Sequence, residues 1–432
     1  MPSRRRVAIT GLGLVTPLGN SVEETWRALL EGRSAIAPIS GFDPSGFPVR
    51  IAAEVKNFSY APPPPYRKLL KYAARHVRFA LAAATQAIED CGQSPRPDNA
   101  TRWGCVAGSG MMANNFDDLV RFQRCFAANG RLATRLLFDP AAGMPDPIAY
   151  ARNQPNAGVA LMAQRFGIRG YTGAVHTACA SGGQAIGRGL RLIRRGSADM
   201  VLAGGFDSMV NPIGLAAFSL LGALSDCNDT PSRASRPFDR TRNGFVLGEG
   251  AGFMVLEEWE SARQRGARIY AELAGDGNSL SSYRITDSHP SGDGPIQAMR
   301  EALRDANAQP DEVGYINAHG TSTIMNDRSE CAAVNAVFGL HARRVQVSST
   351  KSLMGHLIAG AGAVEAVICA LAIHHSTLPF SANLEHPDPQ CDLNFVRDRP
   401  VQCRLGLAMS NSFGFGGSNN SLVFRNPEDV RQ

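Results

Sequence analysis

The stretch 175-VHTACASGGQAIG-187 ends an apolar run in a cluster of small residues around one cysteine and then takes up a helical pattern. Strand, small-residue turn and helix in that order is the unit from which α/β proteins are built. A thiol at the start of such a helix faces oriented backbone N–H groups and the positive end of the helix dipole, which favour the thiolate. The small residues Ala180, Ser181, Gly182 and Gly183 would let a substrate come close to the backbone. Taken alone, the stretch leaves Cys179 open between a nucleophile and one more small buried hydrophobe.

The unit recurs on both sides. Strand-like runs at 6-RVAITGLGLV-15, 103-WGCVAGSG-110, 199-DMVLAGGF-206 and 252-GFMVLEE-258 alternate with helical patterns at 22-VEETWRALLEG-32, 70-LKYAARHVRFALAAATQAIEDCG-92 and 182-GGQAIGRGLRLIRRGSA-198. After about residue 258 a similar series begins again: strands at 268-RIYAELAG-275, 313-VGYINAHG-320, 345-VQVSST-350 and 407-LAMSNSFGFGG-417, with helices at 295-PIQAMREALRDAN-307 and 357-LIAGAGAVEAVICALAIHH-375. The alternation predicts an α/β protein with helices covering mixed or parallel sheets. Two halves of similar content, 1–258 and 259–432, point to an internal duplication. The Pro-rich 62-PPPP-65 and the segment 131-RLATRLLFDPAAGMPDP-147 read as surface excursions.

Composition narrows the class. The chain has 432 residues, 44% hydrophobic and 19% charged, which is more than one ordinary core and reads as soluble and globular. Its apolar runs are interrupted by Gly, Ser, Arg or His and the N-terminus lacks a signal-like apolar region, so a cytoplasmic protein without a membrane span is expected. The nine cysteines are scattered, with no C-x-x-C pair and no zinc spacing, so neither a disulfide framework nor a metal is expected. A formal charge of +6 is modest for this length; it argues only weakly for a nucleic-acid partner and fits an acidic protein partner equally well. The clusters 4-RRR-6 and 67-RKLLK-71 would serve as such a docking face or simply as solvated surface.

Two histidines change the weight of Cys179. His319 in 317-NAHGTST-323 follows a strand and precedes Gly320; His356 in 351-KSLMGH-356 opens the next helical segment, five residues beyond Lys351. A thiol with two imidazoles is equipment for thioester chemistry in which charge develops on oxygen. Decarboxylative carbon–carbon bond formation needs a thioester to hold one acyl group and two neutral donors aimed at the enolate oxygen left when carbon dioxide departs. Neutral imidazole N–H groups meet that need, and the fixed charge of Lys351 would keep both rings neutral. Glu330 and Glu365 are the candidate partners of Lys351. His176 lies on the face opposite the thiol under a two-residue period and reads as structural. His374 and His375 end a helix and read as dipole-compensating caps. The glycines of 10-TGLGLVTPLG-19 do not complete G-x-G-x-x-G, which argues against a nicotinamide site.

TACASG around Cys179, NAHGTST around His319, SSTKSLMGH around Lys351 and His356, and NSFGFGGSN at 411–419 together resemble the β-ketoacyl-acyl carrier protein synthases, in particular the elongating type II group. The likeness extends to 9-ITGLGLVTPLGN-20, 235-SRPFDRTRNGFVLGEGAG-252 and 266-GARIYAELAG-275, nearly the whole chain. It implies a duplicated five-layered αβαβα thiolase-like fold, with the nucleophilic Cys in the half 1–258 and the two His and the Lys in 259–432, and a homodimer. It also implies acyl carrier protein as partner, and no cofactor beyond the phosphopantetheine that partner carries. Cys179 would hold the acyl chain, and His319 and His356 would bind the malonyl thioester and stabilise its enolate. Backbone N–H groups of Cys179 and Phe413 would form the oxyanion hole, with Phe413 also the gate to the acyl pocket. Thr321 and Thr323 would bond the pantetheine arm, and Lys351, Glu330, Glu365 and Asp327 would support the site. The acyl pocket would be lined near Met111, Phe218 and Phe415 and by residues around 131–155.

Departures from the pattern fall near the substrate tunnel. Ser281 stands where the family usually has Asp, Arg284 where the fatty acid enzymes have His, and 323-TIMND-327 where Thr-Pro-x-Gly-Asp is usual. The segment between Asn129 and Asn156 is also longer than the pattern. These features leave two pathways open, fatty acid elongation and a specialised type II polyketide or polyene ketosynthase. A third reading, a non-catalytic chain-length-factor-type subunit in a heterodimer, conflicts with the joint presence of Cys179, His319 and His356.

Overall fold

In the computed structural model, residues 4–110, 116–127, 129–139, 146–286 and 289–429 are described. The first half supplies strands β1 (Val7–Val15), β2 (Trp103–Ser109), β3 (Thr172–Val175), β4 (Met200–Ser208) and β5 (Glu249–Glu258), and the second half β6 (Ala271–Leu280), β7 (Val313–Asn317), β8 (Gln346–Ser348), β9 (Leu407–Phe413) and β10 (Ser418–Arg425). Their spatial order is β3-β2-β4-β5-β1 in the first half and β8-β7-β9-β10-β6 in the second, with Asn394–Phe395 added at the outer edge of β8. Adding five to each label of the first order gives the second. The pairing senses repeat as well: β2 runs parallel to β3 and β4, and β5 antiparallel to β4 and β1, while β7 runs parallel to β8 and β9, and β10 antiparallel to β9 and β6. The two sheets meet through two residue pairs, Ala8↔Glu272 and Ile9↔Ala271. The duplication, invisible letter by letter, is explicit in the topology.

Five layers follow from where the helices pack. Helix α1 (Arg75–Cys91) covers the outer face of the first sheet with α2 (Ala157–Phe166), and α4 (Asp293–Asp305) with α5 (Ile324–Phe338) covers the outer face of the second. Helices α3 (Ser181–Arg194) and α6 (Ala361–His375) lie between the sheets and touch both. A helix enclosed between two sheets has no solvent face to keep polar, and Ala361–Ile373 is accordingly buried along its whole circumference. The stretch Ile358–His375 is long and apolar enough to cross a membrane, but 89% of it is buried as this central helix. His374 and His375 do not act as cationic caps at its end. Burial lowers the pKa of both, and they pack on Tyr270 and Trp26, at centroid distances of 4.9 and 5.6 Å.

Two sets of glycines owe their identity to close packing. A Cβ on Gly13 would lie 1.9 Å from the Ala83 carbonyl oxygen, so the glycines after β1's first residues seat α1, not a dinucleotide. A Cβ on Gly182 would lie 2.7 Å from the Ala363 nitrogen, where α3 crosses α6. Gly182 is thus needed for the helix crossing inside the central layer, and Gly183 for the close approach of Asn420, constraints that the sequence reading did not include.

Candidate active site

Strand β3 stops at Val175, and the chain makes a tight turn, Ala178–Ala180, before entering α3. Ala178 adopts φ 50°, a conformation a residue with a side chain seldom takes, and Ser181 Oγ fixes the turn by donating to the Ala178 carbonyl (2.6 Å) while accepting from the Thr177 N–H (2.8 Å). Cys179 is thereby held at the floor of a cavity of about 280 Å³, with Sγ facing its own N–H and that of Phe415. Burial outweighs these donors and the charge of Lys351 and pushes the thiol up to about 12. The resting group is therefore a neutral thiol; the thiolate expected from the helix start does not prevail, because desolvation penalises the anion more than the surrounding dipoles favour it.

His356 sits 3.1 Å from that sulfur through Nε2, and its ring stands across that of His319 at 5.3 Å between centroids. The His356 backbone is pinned by its N–H to the Val246 carbonyl (2.7 Å) and by its carbonyl to the Gly248 N–H (2.9 Å). Its Nδ1 accepts from the Ile358 N–H at 3.3 Å, which assigns the proton to Nε2 and makes that atom a donor aimed at the site. Sγ and one nitrogen of each imidazole lie within 4.8 Å of one another, compact enough to bracket a metal ion. The same Ile358 contact argues against one, since a protonated Nε2 has no lone pair to give.

Burial, reinforced by Lys351, lowers both imidazole pKa values well below the usual 6.5, and His356 adds to the effect on His319. Both rings are neutral at physiological pH, as the chemistry of two enolate donors demands. Lys351, itself buried, pairs with Glu365 of α6. Glu330 does not join that pair. Its two carboxylate oxygens accept from the His319 N–H (2.9 Å) and Gly320 N–H (2.8 Å), with Asn411 Nδ2 a third donor at 3.1 Å, so it holds the His319 loop from the middle of α5. We expect Lys351→Met to shift the acid limb of a malonyl-decarboxylation pH profile to higher pH, because removing a fixed positive charge lets both imidazole pKa values rise. Losing Glu365's partner should also destabilise the fold by about 3–5 kcal/mol. Adding Glu365→Gln should restore stability but leave the shifted profile, which rate-against-pH and thermal melting would separate.

Thr321 and Thr323 both line the cavity, their hydroxyls 2.9 Å apart. The aromatic positions are exchanged relative to expectation. Phe413 is still the last residue of β9, paired opposite Asn419, buried, and edge-on to His319 at 5.9 Å. The chain leaves the sheet only at Gly414, so the first aromatic residue free to turn to the thiol is Phe415, which lines the cavity and stacks on Phe218 at 6.2 Å. The amide facing Cys179 is likewise that of Phe415, not Phe413.

Other expected residues fall elsewhere. Asp327 is fully buried away from the cavity, accepting from the Phe238 N–H (2.8 Å) and paired with Arg242 (3.2 Å). Met111 lies outside the described residues. The described part of 131–155 lines no wall of the cavity; it forms the turn Thr134–Phe138 and the short helix Ala149–Arg152, with Phe138 81% and Tyr150 79% exposed. His176 contacts the Ser109 hydroxyl at 3.3 Å, a structural role. Sequence reasoning missed Phe245, which lines the cavity and packs on His356 at 5.3 Å, and Asn411 and Arg242, quoted in motifs but given no task. No local signal marks them; only their neighbours in space do.

With this geometry in view, the comparisons are direct. The profile of the beta-ketoacyl synthase N-terminal domain matches residues 4–262 and that of the C-terminal domain residues 270–385. The 3-oxoacyl-[acyl-carrier-protein] synthase 2 of Coxiella burnetii is 42% identical over 97% of this chain and 98% of its own length, and that of Synechocystis 40% identical over 98% of both. Among solved structures, a beta-ketoacyl synthase from Burkholderia phymatum superposes with a TM-score of 0.88 at 32% identity, covering 99% of this chain and 100% of its own. A type II polyketide synthase acyl-carrier protein in complex with its ketosynthase bound to the hexaketide gives 0.87 at 31%, covering 98% and 100%. The fold is thiolase-like, and the match in motifs, topology and length leads to one conclusion: the chain belongs to the beta-ketoacyl synthase family.

Proposed function

We infer that the protein is a 3-oxoacyl-acyl carrier protein synthase that elongates fatty acyl chains by decarboxylative Claisen condensation. The observation that carries this reading is the Cys179 thiol beside two imidazoles held neutral at the floor of one cavity. In the first step the Cys179 sulfur bonds to the acyl carbon, the carrier's sulfur–acyl bond breaks, and the thiol proton ends on the departing pantetheine sulfur. The acyl oxygen is received by the N–H groups of Cys179 and Phe415. In the second step the malonyl carboxylate leaves as carbon dioxide, and the electron pair remains as an enolate whose oxygen accepts from Nε2–H of His356 and from His319. Its carbon then attacks the acyl carbon and expels the Cys179 sulfur, which regains a proton from solvent.

The phosphopantetheine belongs to the carrier substrate, and Thr321 and Thr323 at the cavity wall are the groups that would bond it. Exposed Arg67, Lys68 and Lys71 offer a cationic face to an acidic carrier protein. Exposed Phe138 and Tyr150 are apolar surface that a second copy of the chain would cover in a homodimer. A cytoplasmic setting agrees with the burial of the one long apolar helix among the described residues.

A polyketide or polyene pathway is the second reading, because three departures sit at the cavity itself: Ser281, Ile324 and Asn326 line it. Incubation with acyl-carrier proteins of graded length and unsaturation plus malonyl-carrier protein, read by intact mass of the Cys179 adduct, separates the two. Saturated chains should load and extend; an adduct confined to polyene or aryl chains would reject fatty acid elongation.

A further inference from the structure

We propose that Arg242 is the positioning residue that sets the pantetheine-binding wall, clamping the backbone that carries Thr321 and Thr323 from a site the substrate never touches. This rests on the synthase reading above. The side chain is 1% exposed and comes from the first half of the chain, yet its hydrogen bonds reach mainly into the second. Nε donates to the Thr323 carbonyl (3.1 Å), Nη2 to the Ile324 carbonyl (3.1 Å), and Nη1 to the Asp239 carbonyl (2.8 Å) and to Asp388 (2.9 Å), with Asp327 3.2 Å from Nε. Thr323 and Ile324 are cavity-lining residues at the entry to α5.

The surrounding bonds make the clamp specific. The Gly244 N–H donates to the Ser322 carbonyl (3.0 Å), the Arg236 N–H to Ser322 Oγ (3.0 Å), and the Phe238 N–H to Asp327 (2.8 Å). Ser322, between the two threonines, is held at φ 69°, a conformation that needs such outside support. Segment 236–245 and the threonine loop are therefore one unit, with the guanidinium fork at its centre. Two carboxylates and three carbonyls around a cation excluded from water contribute little net stability. What they supply is a fixed geometry that a flexible ammonium cannot reproduce.

The test compares wild type, Arg242→Lys and Arg242→Ala in three readings: the KM for malonyl-carrier protein, the rate of Cys179 alkylation by iodoacetamide, and the thermal midpoint. For Arg242→Lys we expect KM to rise about tenfold with alkylation within twofold of wild type, since the thiol and His356 hang on other elements and the His319 backbone, although in the same loop, is held by Glu330 and not by the guanidinium. Arg242→Ala leaves a guanidinium-shaped hollow between Asp327 and Asp388, and millimolar guanidinium should recover at least part of the lost affinity. A folded Arg242→Lys with unchanged KM, or a rise in KM matched by a change in alkylation rate in proportion to lost stability, would overturn the proposal, as would failure of guanidinium to restore a folded Arg242→Ala. Wild-type condensation in the same assay reports on the synthase reading separately.

Discussion

Cys179→Ala is expected to abolish acyl loading and to lower condensation by at least about 10⁴-fold, while malonyl-carrier protein still loses carbon dioxide. A methyl group cannot form the thioester, and removing a nucleophile that acts in concert with its neighbours costs nearly the whole chemical advantage. The decarboxylating donors are on separate elements: His319 on the loop after β7, His356 on the turn before α6. Neither depends on the sulfur for its position, since Glu330 holds the His319 backbone and Ile358 fixes the His356 tautomer. Intact mass would follow the adduct and carbon dioxide release the other half-reaction. If the Ala variant still joined acyl and malonyl units, Cys179 would not be the acyl carrier.

The second large effect is on the complementary step. His319→Ala and His356→Ala should each lower decarboxylation by about 10²–10³-fold, the usual cost of one lost donor to a developing oxyanion. Acyl loading of Cys179 should survive His319→Ala better than His356→Ala, because only His356 is within 3.1 Å of the sulfur. The pH dependence carries a sign. The donors work while neutral, and their pKa values lie well below 6.5, so the wild-type rate should be level through neutral pH and fall only on the acid side as the rings take up protons. A rate that instead rose as pH dropped from 7 to 6 would mean that imidazolium is the active form and would sink the scheme. Both readings can be made by carbon dioxide release on the same protein preparations.

Much of this site was legible because its residues occupy strand ends with strong local signatures. TACASG and NAHGTST each place one candidate reacting group just past a strand end, KSLMGH places the third after the short helix that follows β8, and these exits of a doubly built α/β fold converge. Phe415 was misassigned to Phe413 because a run of Phe-Gly-Phe-Gly-Gly does not reveal where the chain leaves the sheet; that is decided by the pairing of Phe413 opposite Asn419. Glu330 was linked to Lys351 on sequence pattern, whereas α6 brings Glu365 to the lysine and leaves Glu330 to the amides of the histidine loop.

The sequence by itself determined the fold class and pointed to the duplication and to three candidate reacting groups, because periodicity and turn chemistry are local and each motif carries its own turn. Only the tertiary structure decided the charge state of the thiol, the tautomer of His356, the purpose of the glycines after Cys179 and the part played by Arg242. Those depend on desolvation and on contacts between segments distant in the chain, such as Arg242 with Asp388 or His356 with Cys179. A dielectric environment and a long-range hydrogen bond are properties of the assembled interior, and no window of neighbouring letters contains them.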